Sequence, residues 1–558
     1  MAMLTQNRWL GSTLMSANRM RHIVAVFAKH GFQNIAEQLQ LGKFIFEKVS
    51  GSSISEKYST AERLRMSFEQ LGPTWIKFGQ MLATRPDIMP DDFIQELQKL
   101  NDQVPAVDFK TLRKHLSEQY EEDIDDIFST IEEVPLGAAS IAQVHRAKLV
   151  TGEDVVLKIQ RPGIYASIKE DINILYSLGQ LAENYLPELK VIGVSRMIEE
   201  YAGYLEQETN FIIEANNIGR FRKNFADDPH VVIPKVYSKY SNEKVLILEE
   251  LQGRRLSDPT AFDQENISPE DVVQIGLRSF LKMIFQDGIF HGDLHAGNFF
   301  ILPNQKIGLI DFGMVGYLSQ KSRDSISSIL IAIAGEDYEQ LAHEFLELSP
   351  QSYNIDADTL MHDLQSLFAP YHGLNFSEFQ IGKLLLDSSK VSSKHGLRLP
   401  SELMLLFKSI LSIEGMGRAI GEDIDLLAYS NEFASEVLKS RYNQKRILKS
   451  MAILAKDSSA LLYTLPRQTR QALKKFNSPD FKWKHEVHEL DRINKTIEIS
   501  SNLIFLGLVI GSLILAGTAG LFLTEGSFIL GTPAISFISF TLATLFGFLS
   551  FYNYMKRG

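Results

Sequence analysis

Three side chains that carry oxygen ligands, Asp293, Asn298 and Asp311, stand at a spacing that suits chemistry on a phosphate group. Asp293 is followed five residues later by Asn298, and Asp311 begins an Asp-Phe-Gly triplet thirteen residues after that. Phosphoryl transfer needs Mg²⁺ to neutralise phosphate charge, and Mg²⁺ needs rigidly placed oxygen ligands. A chance Asp-Phe-Gly in a turn would carry little weight, but two correctly spaced blocks together predict that the chain binds a nucleotide.

This spacing is typical of protein-kinase-like enzymes, in which a catalytic Asp, a metal-binding Asn and a second metal-binding Asp follow in this order. We therefore expect Asp293 to orient or deprotonate an acceptor hydroxyl, or to position water if the reaction is ATP hydrolysis. Asn298 and Asp311 are the predicted Mg²⁺ ligands. The neighbouring His291 and His295 are expected to form hydrogen bonds and are assigned no metal.

A lysine in an apolar, strand-like segment is the predicted contact to the α- and β-phosphates of ATP. Lys158 lies in Val155-Val156-Leu157-Lys158-Ile159, where its ammonium needs an anionic partner or solvent. Glu214, in a helix-like segment farther along the chain, is the predicted partner, as in the Lys–Glu pair of kinases. Glu249 ends an apolar run and stands where a hinge backbone would meet the adenine.

The segment before the lysine strand lacks the glycine-rich loop that usually closes over phosphates. In its place the stretch from Pro135 to His145 contains alanines, whose backbone is less free than that of glycine. The candidate nucleotide contacts in this stretch are Leu136, Gly137, Ala138, Ala139, Ser140 and Val144.

The usual platform for a peptide substrate is also missing from the sequence. No Ala-Pro-Glu follows Asp311, and Leu318-Ser319 runs almost directly into a helix-like segment. Gly292 stands where many protein kinases carry the Arg that contacts an activation-loop phosphate. A true protein kinase is therefore the less favoured interpretation.

Hydrophobic periodicity predicts an α+β chain whose order of elements matches a two-lobed protein-kinase-like fold. Helical spacing dominates to about residue 130, strand-like segments follow, and helical spacing resumes after about residue 252. The predicted parts are an N-terminal helical segment (1–60), a helical extension (61–130), a sheet-containing lobe (131–252), a helical lobe (253–490) and a C-terminal helix hairpin (499–554).

Composition narrows the possible functions further. The 558 residues include 57 basic and 68 acidic side chains, and the formal charge of −11 gives no support for nucleic-acid binding. The chain contains no cysteine, which excludes disulfides, thiolate metal sites and cysteine nucleophiles.

The C-terminal part is far more apolar than the rest. Ser501 to Leu523 and Phe528 to Tyr552 contain no charged residue, and each run is long enough to cross a bilayer as a helix. Basic residues flank the outer ends, so the positive-inside rule would place the large remaining part in the cytoplasm. We therefore expect a transmembrane hairpin and a multi-pass bacterial inner-membrane protein. A hairpin buried in a soluble core is the alternative.

Further motifs give the chain a resemblance to a known family. The segment from Leu71 to Gln80, with Lys77-Phe78-Gly79-Gln80 at its end, resembles the K-x-G-Q signature of the UbiB family of atypical kinase-like proteins. The alanine-containing loop resembles the one that this family has instead of a glycine-rich loop, with Gly137 where many members have Ala. Glu208-Thr209-Asn210 resembles the family's E-x-D element, with Asn in place of Asp.

The resemblance runs from about Leu64 to Arg418 and implies both a site and a function. Lys77 and Gln80 would lie on an N-terminal helix over the nucleotide pocket, and an ion pair from Lys77 would have to rely on Glu208. The implied protein is an atypical kinase or ATPase that binds ATP and Mg²⁺ and supports ubiquinone biosynthesis. Its implied partners are a quinone or isoprenoid intermediate, membrane lipid and other quinone-biosynthesis proteins. The alternative is a nucleotide-gated chaperone or scaffold that presents isoprenoid intermediates without phosphorylating them.

Overall fold

The chain forms two compact units, Met1–Lys449 and Ser450–Gly558. The structure, a computed structural model, describes residues 17–33, 57–101, 104–186, 189, 193–263, 267–349, 355–371, 380–422, 424–426, 429, 433, 488–522, 527–530 and 532–555. Most of the first 56 residues, and the basic residues that were expected to flank the C-terminal hairpin at Lys482, Lys484, Lys556 and Arg557, lie outside this range.

The first unit begins with a helical extension. Its helices are α1 (Ala17–Lys29), α2 (Thr60–Leu71), α3 (Pro73–Leu82) and α4 (Asp91–Leu97). Ser59 and Glu62 form a capping box that starts α2, and Gly72, with a φ of +99°, ends it. Pro73 then fits the first turn of α3, where its missing N–H costs no hydrogen bond. The Gly-Pro pair therefore fixes where α3 begins.

A small sheet lobe follows the extension. Its strands are β1 (Phe128–Ile131), β2 (Gly137–Ala138), β3 (Ala142–Leu149), β4 (Asp154–Gln160) and, later in the chain, β6 (Val245–Glu249). The strands are antiparallel in the order β1-β3-β4-β6, with β2 on β3. The helices beside them are α5 (Phe109–Ser117), α6 (Ile124–Ile127), α7 (Ile164–Tyr185), α8 (Val194–Glu208) and α9 (Phe211–Asn224). The lysine strand predicted from the sequence is β4.

The second lobe is mostly helical and carries the motif residues on short strands. One sheet has the strand order β5-β10-β9-β7, formed by β5 (Val231–Val232), β10 (Lys306–Leu309), β9 (Phe299–Leu302) and β7 (Arg254–Arg255). A separate pair is formed by β8 (Ile289–His291) and β11 (Val315–Tyr317). Its helices are α10 (Pro269–Lys282), α11 (Gln320–Ala334), α12 (Tyr338–Leu348), α13 (Ala357–Phe368), α14 (Ile381–Lys394) and α15 (Ser401–Ala419), with a π-turn at Met283–Asp287 and 3₁₀ turns at Ala296–Asn298 and Ala369–Tyr371. Ser319 caps α11, so the helix begins directly after β11, as predicted.

Helices α14 and α15 approach each other closely at one point. The Glu414 carboxylate on α15 accepts hydrogen bonds from the backbone N–H groups of Ile381 (2.9 Å) and Gly382 (3.0 Å) at the start of α14. Glu414 is buried, and burial raises the pKa of its carboxyl from 4.5 to about 7, although both N–H donors and Arg418 oppose the change. This contact joins the two helices through a titrating group.

The raised pKa of Glu414 predicts a stability that falls as pH rises. Since its folded-state pKa of about 7 exceeds the ordinary 4.5, the folded state holds more protons between these values. We expect the free energy of unfolding to fall there by up to about 1.4 kcal/mol per pH unit, and Glu414→Gln to remove that slope. Urea unfolding from pH 4 to 8 would measure both; a slope that survives in Glu414→Gln would contradict the assignment.

The C-terminal unit corrects one prediction. It consists of α16 (His488–Gly520), the strand pair β12 (Phe528–Ile529) and β13 (Thr532–Pro533), and α17 (Ala534–Met555). In the part of the chain that the structure describes, neither of these helices nor any other is long and apolar enough to cross a membrane. The predicted transmembrane hairpin and multi-pass localisation are therefore wrong.

The physical reason for this correction is that a charge-free run is not the same as a continuous helix. Helix α16 ends at Gly520, before the first run does, and part of the second run forms a strand pair before α17 begins at Ala534. Of the four residues that separate the two charge-free runs, Thr524 to Ser527, the first three lie outside the described residues.

Candidate active site

A cleft of about 2080 Å³ in the first unit contains the predicted site. It exceeds the roughly 300–1,000 Å³ of ordinary ligand pockets, so it has room for a nucleotide and a second molecule. All of the residues predicted from the sequence line it: Lys77, Gln80, Leu136, Gly137, Ala138, Ala139, Ser140, Val144, Lys158, Glu214, Glu249, Asp293, Asn298 and Asp311.

Lys158 lies at the centre of an ion-pair cluster. Strand β4 places its ammonium 2.8 and 2.9 Å from the two carboxylate oxygens of Glu214 on α9, and 3.4 Å from Oδ1 of Asp311. Burial alone would lower the pKa of Lys158, but the two carboxylates outweigh it and raise that pKa. The positive field of Lys158 in turn lowers the pKa of Asp311 to about 2. Lysine and aspartate are therefore both charged at neutral pH.

Asp311 is held in an unusual backbone conformation. Its φ of +60° lies in the left-handed region, which residues other than glycine seldom adopt. The backbone N–H of the preceding Ile310 donates to the carbonyl of Asn298 (3.1 Å), so the two predicted metal ligands are attached to adjoining backbone segments. Such conformations cluster at functional sites, where the surroundings hold them in place.

The predicted catalytic loop is organised by its buried histidine. His291 is fully buried; its Nδ1 accepts the backbone N–H of Asp293 (3.1 Å) and its Nε2 lies 3.1 Å from the carbonyl oxygen of Ile310. Burial lowers the pKa of His291, which favours the neutral ring that can accept one hydrogen bond and donate another. His295 accepts the backbone N–H of Gly297 (3.1 Å). Both histidines therefore form hydrogen bonds, as predicted.

The K-x-G-Q helix, α3, contributes Lys77 and Gln80 to the lining of the cleft. Lys77 on α3 forms an ion pair with Glu208 at the end of α8, the partner that the sequence left available. The amide of Gln80 donates to the carbonyl of Leu100 (3.1 Å). A methyl group on Gly79 would collide with the side chain of Leu100 and lie 2.7 Å from Phe68, which explains the glycine in this motif.

The alanine-containing loop beside the lysine strand is held by backbone hydrogen bonds and by Arg161. Arg161 donates to the carbonyls of Ala139 (2.9 Å) and Pro105 (2.6 Å). Gly137 adopts no left-handed backbone, and a methyl group there would meet no atom within 4 Å, so an alanine would fit at this position. The loop does not depend on glycine for its shape.

Glu249 lines the cleft, and its carboxylate contacts neighbouring residues. The side chain of Glu249 accepts the N–H of Lys235 (3.0 Å) and lies 3.7 Å from Arg222, and 45% of it is exposed. Its own N–H donates to the carbonyl of Lys235 (2.9 Å). A hinge contact to adenine at this position would therefore have to use the remaining backbone groups of this segment.

No motif in the sequence predicted the contacts that two further residues, Asn217 and Lys408, make in the site. Asn217 donates to the carbonyl of Phe312 (3.1 Å) and accepts the Tyr317 hydroxyl (2.8 Å), which anchors the Asp-Phe-Gly segment to α9. Lys408 on α15 lies 3.5 Å from Oδ1 of Asp293. Neither contact follows a short-range motif, because the partners are about a hundred residues apart.

The donor groups of the cleft fit a nucleotide with Mg²⁺. The hydroxyl of Ser140 is buried in the loop with no hydrogen-bond partner among the described residues, and a phosphate oxygen would supply one. No group of three or more His, Asp or Glu able to hold a metal occurs in the described ranges. Mg²⁺ usually needs only one or two carboxylates, because substrate phosphates and water complete its shell. Asn298 and Asp311 would hold it here.

Comparison with known proteins agrees with this geometry. Three domain families match: the ABC1 atypical kinase-like domain over residues 99–345, the UbiB helical domain over 364–425 and the ABC1/UbiB kinase-like C-terminal domain over 488–556. The "Probable protein kinase UbiB" of Pseudomonas paraeruginosa is 30% identical over 468 residues, 82% of this chain and 84% of the relative. The chain belongs to the UbiB family.

Other relatives extend the comparison. The "Probable protein kinase UbiB" of Sodalis glossinidius is 32% identical over 399 residues, 70% of this chain and 72% of that protein. An "Uncharacterized protein in hydrogenase 1 5'region" of Clostridium pasteurianum is 33% identical over 412 residues, covering 74% and 75% of the two chains. The solved complex of Rv3197 with erythromycin from Mycobacterium tuberculosis aligns with a TM-score of 0.46 at 24% identity, over 67% of this chain and 95% of that one.

The UbiB family assignment confirms two predictions made from the sequence. The resemblance based on the K-x-G-Q segment was correct, and the mixed α/β fold of this UbiB-family protein is kinase-like. The UbiB helical domain, residues 364–425, includes α14 and α15, so Lys408 reaches the catalytic loop from that domain.

Proposed function

We propose that this UbiB-family protein binds ATP with Mg²⁺ in the described cleft and transfers or hydrolyses the γ-phosphoryl group in support of ubiquinone biosynthesis. The observation that carries the proposal is the cluster of Lys158, Glu214 and Asp311 beside Asp293 and Asn298. Bound Mg²⁺ would neutralise phosphate charge in this reaction. Membership of the UbiB family supports the proposed role in ubiquinone biosynthesis.

Each residue has a distinct part in this proposal. Lys158, fixed by Glu214, would bind the α- and β-phosphates, and the unpartnered Ser140 hydroxyl would donate to a phosphate oxygen. Asp293 would accept the proton of the attacking hydroxyl or water. Asn298 donates its amide to the backbone carbonyl of Asp293 (3.0 Å), which leaves its side-chain oxygen directed to other groups.

The acceptor proposed is a small isoprenoid or quinone precursor rather than a protein. Helix α11 begins directly after β11, so the segment that supports a peptide in protein kinases is lacking here. The volume of the cleft exceeds that of an ordinary ligand pocket and leaves space for such a molecule beside the nucleotide.

Phosphate release and phosphoryl transfer from labelled ATP, measured with and without isoprenoid phenols, would test this proposal. Wild type is expected to turn over and to be stimulated by the lipid precursor, while Asp293→Asn loses about a hundredfold because proton transfer is lost. Nucleotide binding with no turnover that depends on Asp293 would contradict the enzyme proposal and favour a nucleotide-gated scaffold. Turnover that a peptide stimulates and the lipid does not would contradict the acceptor.

A further inference from the structure

Lys408 provides a positive charge that the catalytic loop itself lacks. The four residues between Asp293 and Asn298 are Leu, His, Ala and Gly, so no lysine or arginine of the loop stands beside the catalytic carboxylate. The ammonium of Lys408 lies 3.5 Å from Oδ1 of Asp293, while Nε2 of His295 lies 3.7 Å from Oδ2. A permanent cation from a distant helix therefore contacts the catalytic group.

The position of Lys408 is set by a well-packed helix. Met404, Phe407 and Ile410 of α15 are almost fully buried in the core of the helical lobe. The same helix passes so close to the catalytic loop that a methyl group on Gly292 would lie 2.9 Å from the side chain of Leu405. A larger residue at position 292 would have to displace the side chains of Leu405 and Met314, so the glycine lets the helix that carries Lys408 lie close to the loop.

Two other lysines that line the cleft, Lys77 and Lys158, already have acidic partners. Lys77 pairs with Glu208, and Lys158 pairs with Glu214 and Asp311. Asp311, a predicted Mg²⁺ ligand, and Asp293, the predicted base, would lie on either side of the transferred phosphoryl group. Lys408 contacts Asp293 in a partly exposed position, since 32% of its side chain and 41% of the aspartate remain accessible. Its ammonium can therefore reach a ligand in the cleft.

We propose that Lys408 binds the γ-phosphate of ATP, so that the UbiB helical domain contributes a phosphate-binding residue to the active site. The inference rests on the proposed function and deepens it. Without nucleotide the ammonium pairs with Asp293; with ATP it donates to a γ-phosphoryl oxygen and frees Asp293 for the acceptor. The acceptor oxygen then bonds to the γ-phosphorus, the bond to the β-phosphate oxygen breaks, ADP leaves, and the acceptor proton passes to Asp293.

If Lys408 only supported the packing of α15, its replacement would not distinguish ATP from ADP. A partly exposed ion pair at this distance adds little to stability, so Lys408→Met is expected to fold like wild type. A contact made only to the γ-phosphate affects ATP and leaves ADP alone. The comparison of ATP with ADP therefore separates phosphate binding from support of the helix.

The test is calorimetric binding of Mg·ATP and Mg·ADP to the full chain, with turnover measured alongside. For Lys408→Met we expect about tenfold weaker ATP binding, ADP binding within about twofold of wild type, and a larger fall in kcat than in ADP affinity, because a charge-assisted hydrogen bond to the γ-phosphate is lost. Lys408→Arg should restore part of the ATP preference. Lys394→Met, which removes an exposed lysine from the last turn of the neighbouring α14, outside the cleft lining, is the matched control and should leave both affinities unchanged.

Two results separate this inference from the function on which it rests. If wild type binds neither nucleotide, the proposed function fails. If wild type binds ATP, but Lys408→Met keeps its ATP-to-ADP preference or weakens both nucleotides equally, the assignment of Lys408 is overturned while the proposed function stands.

Discussion

An Asp311→Asn variant is expected to lose Mg²⁺-dependent turnover by roughly a thousandfold, because the metal supplies several kcal/mol of charge stabilisation in the transition state. The carboxylate lies 3.4 Å from the ammonium of Lys158, which lowers the pKa of Asp311 to about 2. It therefore carries its full negative charge at any pH at which the protein would be assayed. Asparagine keeps the shape of the side chain and removes this charge.

The backbone conformation at position 311 allows Asp311→Asn to remove the charge without disturbing the fold. Asn tolerates the left-handed φ of +60° at position 311 better than most residues, so the Asp-Phe-Gly turn should persist. Lys158 also keeps its two contacts with Glu214, so the lysine is not left unpaired. We therefore expect the unfolding midpoint to change little while metal-dependent activity disappears.

Titration of Mg²⁺ at fixed ATP, with nucleotide affinity and turnover as readouts, would check the Asp311 prediction. Asp126→Asn removes an exposed carboxylate in the short helix α6 and serves as the matched control; it should behave like wild type. An Asp311→Asn protein that still needs Mg²⁺ at the same concentration would show that another group holds the metal.

A Gly382→Ala variant is expected to lose about 3 kcal/mol of stability, the upper part of the range for overpacking a core. An added methyl group would collide with the backbone nitrogen of Leu411 and lie 2.6 Å from its Cα, so α14 and α15 would have to separate. A backbone cannot move aside as the end of a flexible side chain can. Separation would also strain the hydrogen bonds that Glu414 accepts from Ile381 and Gly382.

Urea unfolding of Gly382→Ala beside Gly415→Ala would test this packing. Gly415 lies within α15, but a methyl group there meets no atom within 4 Å, so alanine should be neutral or stabilise by up to about 1 kcal/mol through helix propensity. Equal stability of the two variants would mean that the helices do not approach as closely as described. Because α15 also carries Lys408, Gly382→Ala should lower turnover as well.

Much of the candidate site could be predicted because its information is local. The spacing of Asp293, Asn298 and Asp311 reflects one loop and one turn, and Lys158 stood out as a charge in an apolar strand. Glu214 was predicted correctly as its partner, since the ammonium of a lysine in an apolar strand needs an acidic group.

The prediction that rested on composition alone, the pair of membrane helices at the C-terminus, was wrong. Two charge-free runs at the C-terminus predicted membrane helices, but freedom from charge does not state where a helix begins or ends. Helix α17 begins only at Ala534, after a strand pair, and no described helix meets the length and apolarity that a membrane span requires.

The sequence by itself determined the chemistry: a lysine, three oxygen ligands and their order along the chain. The tertiary structure decided which residues from elsewhere join them. Lys408 reaches Asp293 from a helix 115 residues away, and Asn217 holds the carbonyl of Phe312 from 95 residues away. Contacts at such separations depend on how helices pack, and packing is set by the shapes of many buried side chains at once, which no short motif records.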